Sequence, residues 1–102
     1  MKRGEVYWVN LDPAVGNEVK KRRPAVILSP DEMNCSLPVV IVAPITSSRK
    51  PWPTRADVTL SGKSGQIMLD QIRTVDKSRL MKRIAEVEIA EALAALQIMF
   101  TP

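Results

Sequence analysis

The sequence predicts a mainly β fold: a small, strongly bent antiparallel sheet, in effect an open barrel, closed by one C-terminal α-helix. Three observations carry this expectation. Short runs rich in Val, Ile and Leu recur between Glu5 and Val75, separated by stretches of Gly, Pro, Ser and Asp. Helical spacing takes over near the C-terminus, where Ile89, Leu93, Leu96 and Phe100 recur at i, i+4, i+7 and i+11. The 102 residues suit a single domain over 1–102 that buries roughly two thirds of its unfolded surface.

Each element follows from its residues. Glu5 to Leu11 alternates, with Val6 and Trp8 on one side and Tyr7, Val9 and Leu11 on the other, as a first barrel strand would. The stretch from Pro13 to Pro24 is too polar for a core. Gly16 permits a positive-φ turn, Glu18 supplies one carboxylate, and Lys20, Lys21, Arg22 and Arg23 are four consecutive cations. Pro24 to Ser29 is almost wholly apolar and reads as a strand buried on both faces. The residue before a proline is biased to extended geometry, so Arg23 is expected where the loop enters that strand. Ser29 to Asn34 is turn chemistry, one short helical turn begun by Ser29 with Pro30 at its first position. Pro38 to Ile45 is a β-branched strand in which Pro44 cannot donate to a ladder. Pairing is expected to break or bulge just before Thr46.

Ser47 to Arg55 forms a second polar, cationic loop with Arg49 and Lys50 in it. Trp52, between two prolines, is either a plate for stacking on a base or a lid folded back on the core. Asp57 to Leu60 alternates, and Gly62 and Gly65 mark a turn. The triplet Gly62-Lys63-Ser64 lacks the earlier glycine of a phosphate-binding loop, since Asp57 stands at that position, and that reading is rejected. Gln66 to Leu69 and Gln71 to Val75 form a strand or pair of strands interrupted at Asp70, and alternation would set Gln71 and Arg73 on one face. Asp76 is placed to cap a helical turn running to about Arg83. Glu86, Glu88 and Glu91 suit the positive end of the terminal helix.

Charge is distributed unevenly. All 15 Lys and Arg fall within residues 1–83, which carry a net +7, while the rest has three Glu and no cation. A basic body of this kind points to a polyanionic partner. The single Cys35 excludes an internal disulfide, the N-terminal residues lack the apolar segment expected of a secretory signal, and the longest apolar run is far short of a membrane span. A cytoplasmic setting and no membrane association are expected.

Histidine is absent, so imidazole acid–base pairs and Cys–His or Ser–His nucleophiles are excluded. The carboxylates are scattered singly, with no metal-ligand spacing, and no metal or cofactor is expected. Cations, hydroxyls and one placed acid remain, a set suited to a reaction whose nucleophile belongs to the substrate.

Five separated motifs share one resemblance: Arg3-Gly4-Glu5-Val6-Tyr7-Trp8-Val9, Gly16-x-Glu18, Arg23-Pro24-Ala25-Val26-Ile27-Leu28-Ser29, Ala43-Pro44-Ile45-Thr46, and Asp70-Gln71-Ile72-Arg73-Thr74-Val75-Asp76. In this order, over nearly the whole chain, the sequence resembles the MazF/PemK family of toxin endoribonucleases. The resemblance implies a small SH3-like antiparallel barrel of the CcdB/MazF/PemK type, with short helices and a C-terminal α-helix. It implies a type II toxin that cuts single-stranded RNA (mRNA, tRNA or rRNA), a homodimer, and restraint by a cognate antitoxin with an acidic, disordered C-terminal segment. Arg23 and Thr46 match the family's catalytic pair, and Glu18 matches a residue implicated in some members.

RNA supplies its own nucleophile, the 2′-hydroxyl, so the protein need only align groups and stabilise charge on the phosphorane. Arg23 would clamp the phosphate electrostatically, Thr46 would donate a neutral hydrogen bond, and Glu18 is the candidate base. Lys20, Lys21, Arg22, Arg49, Trp52, Gln71 and Arg73 are the RNA-binding candidates. The alternatives are a gyrase-poisoning toxin of the CcdB type and a non-catalytic nucleic-acid-binding barrel. On the plainest structural reading Arg23 is a loop ion pair with Glu18, and Thr46 ends a strand.

Overall fold

A computed structural model of the chain describes residues 1–13, 15–18 and 21–102. Its strands are β1 (Glu5–Asn10), β2 (Arg22–Ile27), β3 (Val39–Thr46), β4 (Arg55–Leu60), β5 (Lys63–Met68), β6 (Arg73–Asp76) and β7 (Leu80–Glu86). The helices are α1 (Asp31–Ser36) and α2 (Ala90–Met99), with 3-10 turns at Leu69–Gln71 and Lys77–Arg79. All pairings are antiparallel, in the order β4-β5-β3-β2-β1-β7, and β6 also pairs with β3. The architecture is the expected one, a curled antiparallel sheet with a C-terminal helix.

β3 is the hub. One edge carries β2; the other carries β6 along Val39–Val42 and then β5 along Ile45–Thr46. The change of partner falls at Ala43 and Pro44, where the missing N–H interrupts the ladder without ending the strand. Burial then alternates along β2 and β3 between two cores. Val26, Leu28, Ala43 and Ile45 join Val6, Ala56, Val58, Ile67 and Leu69 in one, closed by Ile89, which caps α2, and by Ala92 of α2. Ala25, Ile27, Val40 and Val42 join Val9, Leu11 and Val75 in the other. The apolar run after Pro24 is therefore buried on both faces, as its composition requires.

Four local expectations are corrected. The helical turn after Asp76 spans only Lys77–Arg79, with Asp76 Oδ1 accepting the Ser78 N–H at 2.9 Å, and Leu80–Glu86 is instead a strand paired with β1. This edge strand turns few side chains inward, so its apolar pattern is faint. Phe100 is not part of the helical stripe: α2 ends at Met99, and Phe100 is 72% exposed while Leu93, Leu96 and Met99 pack on the core. α1 begins at Asp31 and not at Ser29, whose buried hydroxyl donates to Asn34 Oδ1 at 2.5 Å. Gly65 lies inside β5, and the β4–β5 turn sits at Ser61 and Gly62.

The reason for glycine at 65 is a close approach, since a Cβ there would stand 2.7 Å from the Thr46 carbonyl oxygen, a backbone atom that cannot swing aside. Gly65→Ala should therefore push β3 from β5 and lower stability by about 1–3 kcal/mol. Urea unfolding of the two proteins measures it, and equal midpoints would show that the approach is not tight.

Candidate active site

The β2–β3 register decides the site. Ala25 pairs with Pro44 and Val26 with Ala43. The ladder between the two strands ends there, and just beyond it Arg23 and Thr46 both border the same hollow. Arg23 is also paired with Val9 of β1, so it stands in a ladder and not in a mobile loop. Thr46 pairs with Gln66 of β5. Arg23 and Thr46 line one open cleft of about 380 Å³ together with Lys21, Arg22 and Lys63, over apolar walls from Trp8, Pro24, Ile45 and Leu60.

The backbone brings Lys21 to this cleft by an unusual route. Its φ of 68° is left-handed, which costs a non-glycine residue about 1–2 kcal/mol. Two bonds hold it there: Leu11 N–H donates to Lys21 O at 2.9 Å, and Lys21 N–H donates to Asp12 Oδ1 at 2.7 Å.

Among the described residues the charge of the cleft is uncompensated. Arg49, Arg55 and Arg83 are ion-paired with Asp57, Asp70 and Glu5, and Arg3, Arg73 and Arg79 donate to backbone carbonyls. Among the described residues, the Arg22, Arg23, Lys21 and Lys63 side chains have no such partner. Thr46 is 8% exposed, and its Oγ1 accepts the Ser48 N–H at 3.1 Å. The hydroxyl still carries a proton to donate.

The other expected site residues are elsewhere. Glu18 makes no ion pair with Arg23: its carboxylate accepts the Val15 N–H at 2.7 Å, and it lines a second hollow of about 290 Å³ with Gln71 and Arg73. Arg73 there donates to Leu11 O at 3.0 Å. Arg49 is held by Ser64 Oγ at 2.8 Å and Asp57 Oδ1 at 2.7 Å. Trp52 is neither a lid nor a bare plate. It is 47% exposed, with the Arg55 guanidinium 4.6 Å from its ring centroid and the Lys50 ammonium 5.7 Å away. Lys20 lies outside the described residues.

Trp8, Leu60 and Lys63 were not singled out from sequence, although Lys63 belongs to the Gly-Lys-Ser triplet; it reaches the cleft from a hairpin end and not from a phosphate loop. No group of three His, Cys, Asp or Glu that could hold a metal ion occurs among the described residues.

The family described as "PemK-like, MazF-like toxin of type II toxin-antitoxin system" matches residues 2–100. The chain belongs to this family. A relative named "Endoribonuclease MazF" from Staphylococcus saprophyticus is 40% identical over 90 residues, covering 82% of this chain and 75% of its own. The solved structure of MazF from Deinococcus radiodurans superposes with a TM-score of 0.85 at 31% identity, covering 97% of this chain and 94% of its own. A MazE–MazF structure from the same organism gives 0.76 at 28% identity, covering 97% and 94%.

In this family member one partly buried ion pair anchors the end of the cationic loop. Arg55, its side chain 6% exposed, grips Asp70 with Nε at 2.7 Å and Nη2 at 3.2 Å, and Thr54 Oγ1 donates to the same carboxylate at 3.1 Å. Partial burial pushes the Asp70 carboxyl up, but the bonds from Arg55, the backbone and Thr54 outweigh it and hold it below its usual range. A depressed carboxylate stabilises the fold above its unfolded value, about 3.9, and that stabilisation fades as pH falls through its folded value. Asp70→Asn should cost about 1–3 kcal/mol at pH 7, with the deficit shrinking below about pH 4. Denaturant unfolding against pH measures it, and a deficit constant down to pH 2 would contradict this account.

Proposed function

We propose that the protein is a metal-independent, sequence-specific endoribonuclease that cuts single-stranded RNA by attack of the 2′-hydroxyl on the adjacent phosphorus. The observation that carries the reading is that Arg23 and Thr46 line one cleft whose cations, among the described residues, lack carboxylate partners. A nucleus of unpaired positive charge on a rigid ladder is preorganised for an anion that gains charge in its transition state. The O2′–P bond forms as the P–O5′ bond breaks, leaving a 2′,3′-cyclic phosphate and a 5′-hydroxyl, with the protons exchanged with solvent. Arg23 grips two phosphate oxygens with its planar fork, and Thr46 donates to one of them. Lys21, Arg22 and Lys63 hold neighbouring phosphates, and Trp8 offers a wall for a base. Glu18, the candidate base, borders the neighbouring hollow with Gln71 and Arg73, where it would also meet the flanking RNA strand. The relative's name supports cleavage of RNA over the gyrase-poison and binding-only readings.

RNA cleavage in EDTA with mapping of the ends tests this. Cutting should persist, leave cyclic phosphates, and stop where the scissile nucleotide is 2′-deoxy. Arg23→Ala should lower kcat by about 10²-fold or more, as should Thr46→Ala, and Arg23→Lys should not restore it. Dependence on added magnesium, or an active lysine variant, would overturn the mechanism.

The same cleft suits an acidic, extended segment of an antitoxin, a reading supported by the type II family and by the MazE–MazF relative. The toxin would act as a cytoplasmic homodimer, with one such segment reaching both clefts. No described helix is long and apolar enough to cross a membrane. Antitoxin peptide should displace a fluorescent uncleavable RNA competitively; simultaneous saturation by both would contradict the shared cleft.

A further inference from the structure

A threonine hydroxyl is useful as a donor only if it points one way, and the chain turns sharply immediately after Thr46. Gln66 controls that turn from two sides. Its backbone is the ladder partner of Thr46. Its side-chain amide, in a residue only 6% exposed, accepts the Lys50 N–H at Oε1 (2.9 Å) and donates from Nε2 to Lys50 O (3.1 Å). Arg49 adds a second tie to the same hairpin through Ser64 Oγ at 2.8 Å and Asp57 Oδ1 at 2.7 Å. Ser47 and Ser48 are thus a two-residue span between fixed ends. In that span the Ser48 N–H fills one acceptor site of Thr46 Oγ1 at 3.1 Å.

We propose that Gln66, seconded by Arg49, is a positioning residue that fixes the Thr46 hydroxyl by pinning the Ser47–Lys50 return to the β4–β5 hairpin. The proposal rests on the donor role given to Thr46 above. A buried primary amide is costly unless paired, and here both its ends bond one backbone residue of the loop, while Nε2 also makes a longer bond of 3.4 Å to Asp57 Oδ1. The Arg49–Asp57 pair, with side chains 49% and 60% exposed, is screened by water and is the weaker tie. With the return held, the Thr46 proton has the cleft as its outlet. With it released, the Ser48 N–H leaves the hydroxyl and the rotor is free. Arg49 accordingly acts on turnover and not as a phosphate contact.

Gln66→Met keeps the side-chain length and the ladder but removes both bonds to Lys50. Steady-state RNA cleavage and amide hydrogen exchange on the same protein test the idea. In Gln66→Met, kcat should fall about 10- to 100-fold with KM within about threefold. Ser48 amide protection should collapse while that of Ile67 is kept. Arg49→Ala, a change at the surface that leaves the fold intact, should lower kcat less and leave the salt dependence of RNA affinity unchanged. Wild-type kcat in Gln66→Met, unchanged Ser48 protection, or a reduced salt slope in Arg49→Ala would overturn the proposal. Should Gln66→Met not fold, Arg49→Ala decides by the same readouts. A wild-type protein that cuts no RNA would refute the proposed function instead, and the exchange measurement would still decide whether Gln66 holds the turn.

Discussion

The pairing of β2 with β3 is the constraint on which the rest depends. Both strands are buried on both faces, so a slip of one residue would exchange the Ala25, Ile27, Val40 and Val42 core with the Val26, Leu28, Ala43 and Ile45 core. Fully burying each Val, Leu or Ile among them stabilises the fold by about 1.5–3 kcal/mol. The register is therefore fixed by packing. Just beyond the end of that ladder the two strands carry Arg23 and Thr46 to one cleft. The geometry of the site is a by-product of core formation, which is why it needs no local ion pair to hold it.

Charge partition follows the same division of labour. Where an arginine serves the fold it is satisfied: Arg55 by Asp70 beneath Trp52, Arg83 by Glu5 between β7 and β1, Arg79 and Arg73 by carbonyls at the end of β1 and just beyond it. Where it serves the cleft it is not. Holding Lys21, Arg22, Arg23 and Lys63 together without carboxylates costs self-repulsion, a cost that an RNA phosphate or an acidic peptide would relieve. The rigidity of the ladders keeps those charges in place before the ligand arrives.

What sequence could show depended on how strongly each segment was constrained by burial. β2 and β3 were legible because long β-branched runs bounded by Pro and Ser admit few other states, and the Asp70 bend was legible as a polar break in an apolar run. β7 was not, because Met81, Lys82, Arg83 and Ile84 are all exposed on an edge strand and give no alternation to read. The stripe through Phe100 failed one residue past the helix end. Arg23 and Thr46 could be nominated by type and position, but Lys63 and Trp8 reach the cleft only through the curl of the sheet, and Gln66 declares its role only through a loop that folds back onto it. Glu18 and Arg49 illustrate the converse: chemistry-bearing residues whose partners, a backbone N–H and a hairpin, are invisible in sequence spacing.

The central claim is that Arg23 and Thr46 together receive the scissile phosphate. The most direct measurement is a nuclear magnetic resonance titration of the wild-type protein with an RNA made uncleavable by one 2′-deoxy nucleotide, following arginine Nε–Hε and backbone amide signals. The account predicts that the Arg23 Nε–Hε and the Thr46 and Ser48 amides shift together and saturate with one affinity, while the internally paired Arg55 stays put. Saturable binding that moves Arg49, Trp52 and Arg55 and leaves Arg23 and Thr46 unshifted would contradict it.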